Sequence, residues 1–168
     1  MRKIFSPLLF NLCLVFIFTI SCKKSESNEK PVQPDAVIDS TQTDTLSKII
    51  INVSGMKNSK GNISIALYNS GSNFNDPEYA YRKYSVKAVS GTMKIILEAI
   101  PKGTYAFGLI HDENENNKMD KNGFSMPKEG FAFSNNAMGK FSPPTYNECT
   151  FYLPAKGTLT QIISLKFY

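Results

Sequence analysis

From about residue 47 to the end of the chain, apolar and polar residues alternate with a period of two. Ile49, Ile51 and Val53 alternate with Ile50, Asn52 and Ser54, and Ile63, Ile65 and Leu67 with Asn62, Ser64, Ala66 and Tyr68. Successive side chains of a strand point to opposite faces, so this period predicts strands with one buried face. The same reading gives strands around 84–88, 92–98, 104–111, 148–153 and 158–167. In the last of these Leu159, Ile163, Leu165 and Phe167 share a face, with Gln161 the polar exception. Residues 55–61 contain turn formers, which predicts a hairpin between the first two strands, and Ser90-Gly91 predicts a second. Residues 79–82 could form a single helical turn. Seven short strands, Gly- and Pro-bearing turns and no sustained helical period predict an all-β domain, a single seven-stranded β-sandwich with one long functional loop.

The first 46 residues have a different character. Arg2 and Lys3 precede an apolar run, 8–20, that is too short to span a bilayer comfortably and suits a secretory leader. The run ends at Thr19-Ile20-Ser21-Cys22, which resembles the lipobox of bacterial lipoproteins. The resemblance implies cleavage before Cys22 and lipid on that residue; the alternative is an ordinary signal peptide with an incidental cysteine. Residues 22–46 are Ser, Asn, Glu, Lys, Pro, Asp, Thr and Gln with almost no apolar content, the composition of a disordered tether. The expected organisation is therefore a leader at 1–21, a lipidated tether at 22–46 and a sandwich at 47–168. Cys13 leaves with the leader and Cys22 carries lipid, so Cys149 is the one thiol of the domain. It alternates with Phe151 and Leu153 and is expected to be buried.

Charge narrows the partners. The leader holds two of the 19 Lys and Arg, leaving 17 against 14 Asp and Glu. No cluster suggests nucleic acid. The expected partners are a membrane, through the N-terminal lipid, and a glycan or envelope protein. The expected location is the outer membrane, on either face.

Candidate chemistry concentrates after the strand at 104–111. Asp112, Asn114, Asn116, Lys118 and Asp120 fall at positions one, three, five, seven and nine of a Ca²⁺-type loop, where Lys118 would contribute only its carbonyl. The acid expected at position twelve is replaced by Gly123, so Glu129 is the nearest later carboxylate. A weak, structural Ca²⁺ is expected, in the range of roughly 10⁻⁴ to 10⁻³ M found in extracellular modules. The alternative is a solvated polar turn. His111, at the strand end, is the single histidine of the chain, too few for a zinc site. Beyond it, Phe124, Phe131, Phe133, Phe141 and Tyr146 give the long connection an apolar cluster of its own. The cluster either plugs one end of the sandwich or forms an aromatic platform, with His111, Phe131, Phe133, Ser134, Asn135 and Asn136 as the ligand-binding set.

Two resemblances add to this. Pro101-x-Gly103-Thr104-Tyr105 is similar to the strand entry of transthyretin-like and collagen-adhesin B-type sandwiches. More extensively, Leu67-Tyr68-Asn69, His111-Asp112-x-Asn114-x-Asn116, Glu129-Gly130-Phe131-x-Phe133-Ser134-Asn135-Asn136 and Phe141-x-Pro143-Pro144 resemble domain-of-unknown-function family 2141, small exported bacterial proteins, over about 48–167. The resemblance implies a secreted β-sandwich and supplies no activity. It also implies glycines where this chain carries Glu115 and Asn117. The expected function is that of a non-enzymatic, lipid-anchored binding or structural module. Alternatives are a periplasmic assembly partner that accepts a strand at a sheet edge, and a hydrolase using His111 with Asp112 or Glu129.

Overall fold

The computed structural model describes residues 45–140 and 142–168, so the expected leader, Cys22, most of the tether and Phe141 lie outside the described residues. The described residues form eight strands: β1 (Ser47–Met56), β2 (Asn62–Tyr68), β3 (Arg82–Lys87), β4 (Gly91–Ile100), β5 (Gly103–Asp112), β6 (Phe131–Phe133), β7 (Phe151–Leu153) and β8 (Thr158–Ser164). Seven correspond to the expected strands. The additional one, β6, is three residues long and lies inside the long connection. Three strands form one sheet in the order β4-β1-β8, and the others form a second in the order β3-β2-β5-β6, with β7 on the same edge of β5 as β6.

The alternation identifies the buried faces correctly. Ile49, Ile51 and Val53 of β1, Ile95 and Leu97 of β4 and Ile163 of β8 face Ile63, Ile65 and Leu67 of β2 and Phe107 and Leu109 of β5 in one apolar core. The fold is an all-β sandwich. All of this core lies within Ile38–Tyr168, which is one unit of the chain.

Neither expected hairpin forms. β1 pairs with β4 and, in parallel, with β8, whereas β2 pairs with β3 and β5. The links at 57–61 and 88–90 carry the chain from one sheet to the other. Packed sheets lie about 10 Å apart, a gap that three to five extended residues can cross. Other boundaries also move. A 3₁₀ turn occupies Pro77–Tyr79, with Asp76 capping it through Glu78 N at 3.0 Å, in place of a helical turn at 79–82. Residues Tyr146–Cys149 form a one-turn helix, α1, before β7 begins. Thr145 and Glu148 close it with a reciprocal capping box, so the local backbone bonds are satisfied in a helix and not in an extended strand. Cys149 is buried as expected, but in α1, and burial pushes its thiol up to about 11. Finally, β8 ends at Ser164. Leu165 N still donates to Ser54 O, and Lys166 then exchanges two backbone bonds with Phe131 of β6, at 2.8 and 3.0 Å, linking the two sheets.

Candidate functional site

β5 runs straight into the oxygen-rich loop, and Asp112 is its last residue. Asp112 is fully buried. Its Oδ1 accepts from Asn116 N at 3.1 Å and its Oδ2 from Asn117 N at 2.7 Å, so one side chain folds the next turn back upon itself. Asn114 Nδ2 and Asn116 Nδ2 donate to the two oxygens of Asp120, at 2.8 and 3.0 Å, while Asn116 Oδ1 accepts from Lys118 N at 2.8 Å. Glu115 and Asn117 both have φ near 60°, the left-handed region that favours glycine. These are the two positions where the family resemblance implies glycine. Lys87 holds the Glu115 carboxylate at 2.6 Å and draws its pKa down. Behind the loop, Gly61 has a φ of 64°, and a Cβ there would overlap the Asp112 carbonyl oxygen.

Glu129 does return to this loop. It is buried, and its Oε1 accepts from Glu113 N at 3.2 Å while its Oε2 accepts from Asp120 N at 3.1 Å, so it clasps both ends. Burial pushes its carboxyl above the ordinary value of 4.5; the two amide bonds oppose this, and the Asp112 and Asp120 charges add to the rise. A carboxyl whose pKa is higher folded than unfolded contributes stability that is fully present below the unfolded pKa and lost as pH rises through the folded one. In thermal melts of wild type and Glu129→Gln, the Tm difference, wild type minus variant, is therefore expected to become more positive as pH falls from 7.5 towards 4.5. A constant difference across that range would show that the group titrates normally.

Among the described residues, no group of three or more His, Cys, Asp and Glu side chains is placed to hold a metal ion. Asp112, Asp120 and the Asn114 and Asn116 amides are brought together, with Glu129 behind them. His111 points the other way, into the sandwich. It is fully buried, its Nε2–H donates to Lys60 O at 2.8 Å, and Nδ1 has no partner.

The Ser134-Asn135-Asn136 segment is a structural joint. Fully buried Ser134 takes Phe107 N at 3.0 Å and donates to Cys149 O at 2.6 Å. It fills the gap on the β5 edge between the residues paired with β6 and those paired with β7. Asn135 donates to Thr150 O at 2.8 Å and exchanges bonds with Gln161. Asn136 donates to Ile162 O at 2.6 Å and accepts from Ser164 N at 2.9 Å, so its amide pairs with β8 as another strand would.

Phe131 and Phe133 do face a cleft. They flank a trough of about 890 Å³ over the outer face of the second sheet, whose floor includes Ser64, Ala66, Gly108 and Ile110. Sequence reasoning missed this floor, because it did not pair β2 with β5 and Ser64, Ala66 and Gly108 read as ordinary outward positions. Beside it, Phe74 is in edge contact with Tyr68 at 5.1 Å and with Tyr146 at 5.6 Å, and Tyr168 stacks on Phe131 at 5.6 Å. Burial, then the Asp76 charge, pushes the Tyr68 hydroxyl up to about 12. Phe124 does not join the expected aromatic cluster. It stands 90% exposed at the tip of a turn whose amides Asn122 caps.

A model of a family of uncharacterised proteins conserved in bacteria, DUF2141, matches residues 51–161. The chain belongs to this family. The DUF2141 match runs from the middle of β1 through β5, the oxygen-rich loop and the Ser134–Asn136 joint into β8, so the loop and the joint lie inside it, while Tyr168 of the cleft lies beyond it. No curated protein and no solved structure matches the chain.

Proposed function

We propose that this DUF2141 chain is a non-enzymatic, lipid-anchored module of the cell envelope, held at the outer membrane through Cys22, that binds a small ligand in the cleft over β2 and β5. The observation that carries the proposal is the cleft itself. It is about 890 Å³, within the usual range of small-ligand sites, with aromatic side chains beside a floor of small residues. The neighbouring loop is braced by Asp112 and Glu129, which favours a preformed site. His111 is committed to Lys60 O inside the sandwich, which gives the hydrolase reading no support. Lipidation is tested by labelling cells with an alkyne fatty acid: the label is expected on the wild-type chain and absent from Cys22→Ser. The cleft is tested by a thermal-shift screen that includes envelope glycans. Hits are expected to be lost in Ala66→Trp, which fills the floor, and hits that all survive would refute the site.

The proposal includes a weak structural Ca²⁺ at Asp112, Asn114, Asn116, the Lys118 carbonyl, Asp120 and Glu129. Carboxylate oxygens have more than one lone pair, so an amide bond leaves room for a second interaction. With two or three carboxylates and a Kd of about 1 mM, 5 mM Ca²⁺ is expected to add about 1 kcal/mol. That appears as a rise of a few degrees in Tm, absent from an Asp112→Ala/Asp120→Ala variant. Identical melting with and without Ca²⁺ would leave the loop held by its own hydrogen bonds.

A second reading has its own observation. β4 is a ten-residue strand at the edge of the three-stranded sheet, with Ile96 47% exposed. Such an edge suits strand addition by an envelope partner.

A further inference from the structure

We propose that the cleft takes an amphipathic anion with a single apolar chain, such as a long-chain carboxylate, the chain lying on the sheet and the head among lysines at the rim. This rests on the reading of the cleft as the ligand site and gives that ligand a chemical class.

Three observations carry it. The first is the lining. Ala66, Gly108 and Ile110 lie beneath, and Phe131, Phe133 and Tyr168 beside, a surface that rewards burial of a chain. The second is the state of the polar side chains. A neutral sugar needs many uncommitted hydrogen-bonding groups around its ring, and the lining's amides are partly engaged, while the buried hydroxyls of Ser64 and Tyr84, which have no hydrogen-bond partner among the described residues, are left to meet a single polar head. Asn75 donates to Pro144 O at 3.4 Å, and Asn116 bonds both Asp120 and Lys118 N. Asn117 aside, what remains is mainly hydroxyls and lysine ammonium groups.

The third is charge. Lys83, Lys118, Lys121 and Lys140 line the cleft against two acids, Asp76 and Glu78. Glu78 is paired with Lys83 at 2.9 Å, which leaves Lys118, Lys121 and Lys140 against Asp76 alone. A positive rim over an apolar trough distinguishes the two ends of an amphipathic anion: the trough supplies affinity and the rim selects the head.

The unit Ile38–Tyr168, which contains the whole described core, is titrated calorimetrically with laurate, dodecanol and acetate below micellar concentrations. Cooperative melting confirms that each variant is folded. Laurate is expected to bind, dodecanol to bind about tenfold more weakly, and acetate not to bind measurably. Lys118→Ala/Lys121→Ala/Lys140→Ala is expected to weaken laurate about tenfold and leave dodecanol unchanged, and added salt should have the same selective effect. All three lysines are exposed, so the variant tests recognition and not folding. Ala66→Trp is expected to abolish binding of both chains. Equal binding of laurate and dodecanol, indifferent to the lysines, would overturn the anion and leave the cleft as a site. Absence of chain binding together with a glycan hit that Ala66→Trp removes would do the same in favour of a sugar. If no probe or screened compound binds in a way that Ala66→Trp alters, both this proposal and the cleft reading fail.

Discussion

Replacing Ser134 by alanine is expected to destabilise the domain by about 3 kcal/mol, although the change removes a single oxygen atom. The Ser134 hydroxyl accepts from Phe107 N at 3.0 Å and donates to Cys149 O at 2.6 Å, and all three residues are fully buried. Alanine leaves an N–H and a C=O inside the protein with no water to replace the hydroxyl, and each such group costs about 1–3 kcal/mol. The position also matters for the sheet. β6 covers β5 at Gly108–Ile110 and β7 covers it at Gly103–Tyr105, so the hydroxyl is what continues the ladder between two three-residue strands. Chemical denaturation should show a lower midpoint for Ser134→Ala. Asn135→Gly, at an exposed residue with φ of 61°, should lose much less, since water can serve its partners and glycine relieves the backbone. Equal losses in the two variants would remove the special role of the hydroxyl.

The outcome separates what the sequence could reveal from what it could not. Alternation at Ile49, Ile51 and Val53 and at Ile63, Ile65 and Leu67 identified both buried faces, because burial constrains every second residue. It could not identify strand partners. β1 and β2 present the same pattern whether they pair or face each other across the core, and only the second is realised. The capping box at Thr145 and Glu148 was legible as a motif, but the apolar alternation of Cys149, Phe151 and Leu153 masked it. The structure brings Asp112, Asn114, Asn116 and Asp120 together, and Glu129 returns to them as a side chain that clasps both ends. For Ser134, Asn135 and Asn136 the residue types were informative and their use was not. Short polar side chains serve ligands and stranded backbone groups equally well, and here they bond α1, β8 and β5. The cleft was the least visible feature, because outward residues such as Ser64 and Ala66 read as ordinary solvent-facing positions until flanking segments come back over them.

The second large effect is expected at Asp112. Alanine there removes both acceptors of the first turn of the loop and leaves Asn116 N and Asn117 N without their partner. Hydrogen bonds to a charged group contribute about 1.5–3 kcal/mol each, while deleting a buried carboxylate relieves part of its desolvation, so a net loss of about 3 kcal/mol is expected. For a domain of this size that is a fall in Tm on the order of 10 °C. Asp112→Asn should recover little of it, because its amide group turns a donor towards one of the two waiting N–H groups. The loss should also be local. Protease cleavage within 113–128 is expected to accelerate more than global unfolding alone explains, since Glu129 then restrains only the ends of an unbraced loop. Removing Asp112 also removes one of the charges that raises the Glu129 carboxyl. The pH dependence attributed to Glu129 should therefore be weaker in the Asp112→Ala background than in wild type. If stability falls but the Glu129 profile is unchanged, the two carboxylates act independently. If neither changes, the turn holds without Asp112, and the loop's order has its source in the Asn114, Asn116 and Asp120 network.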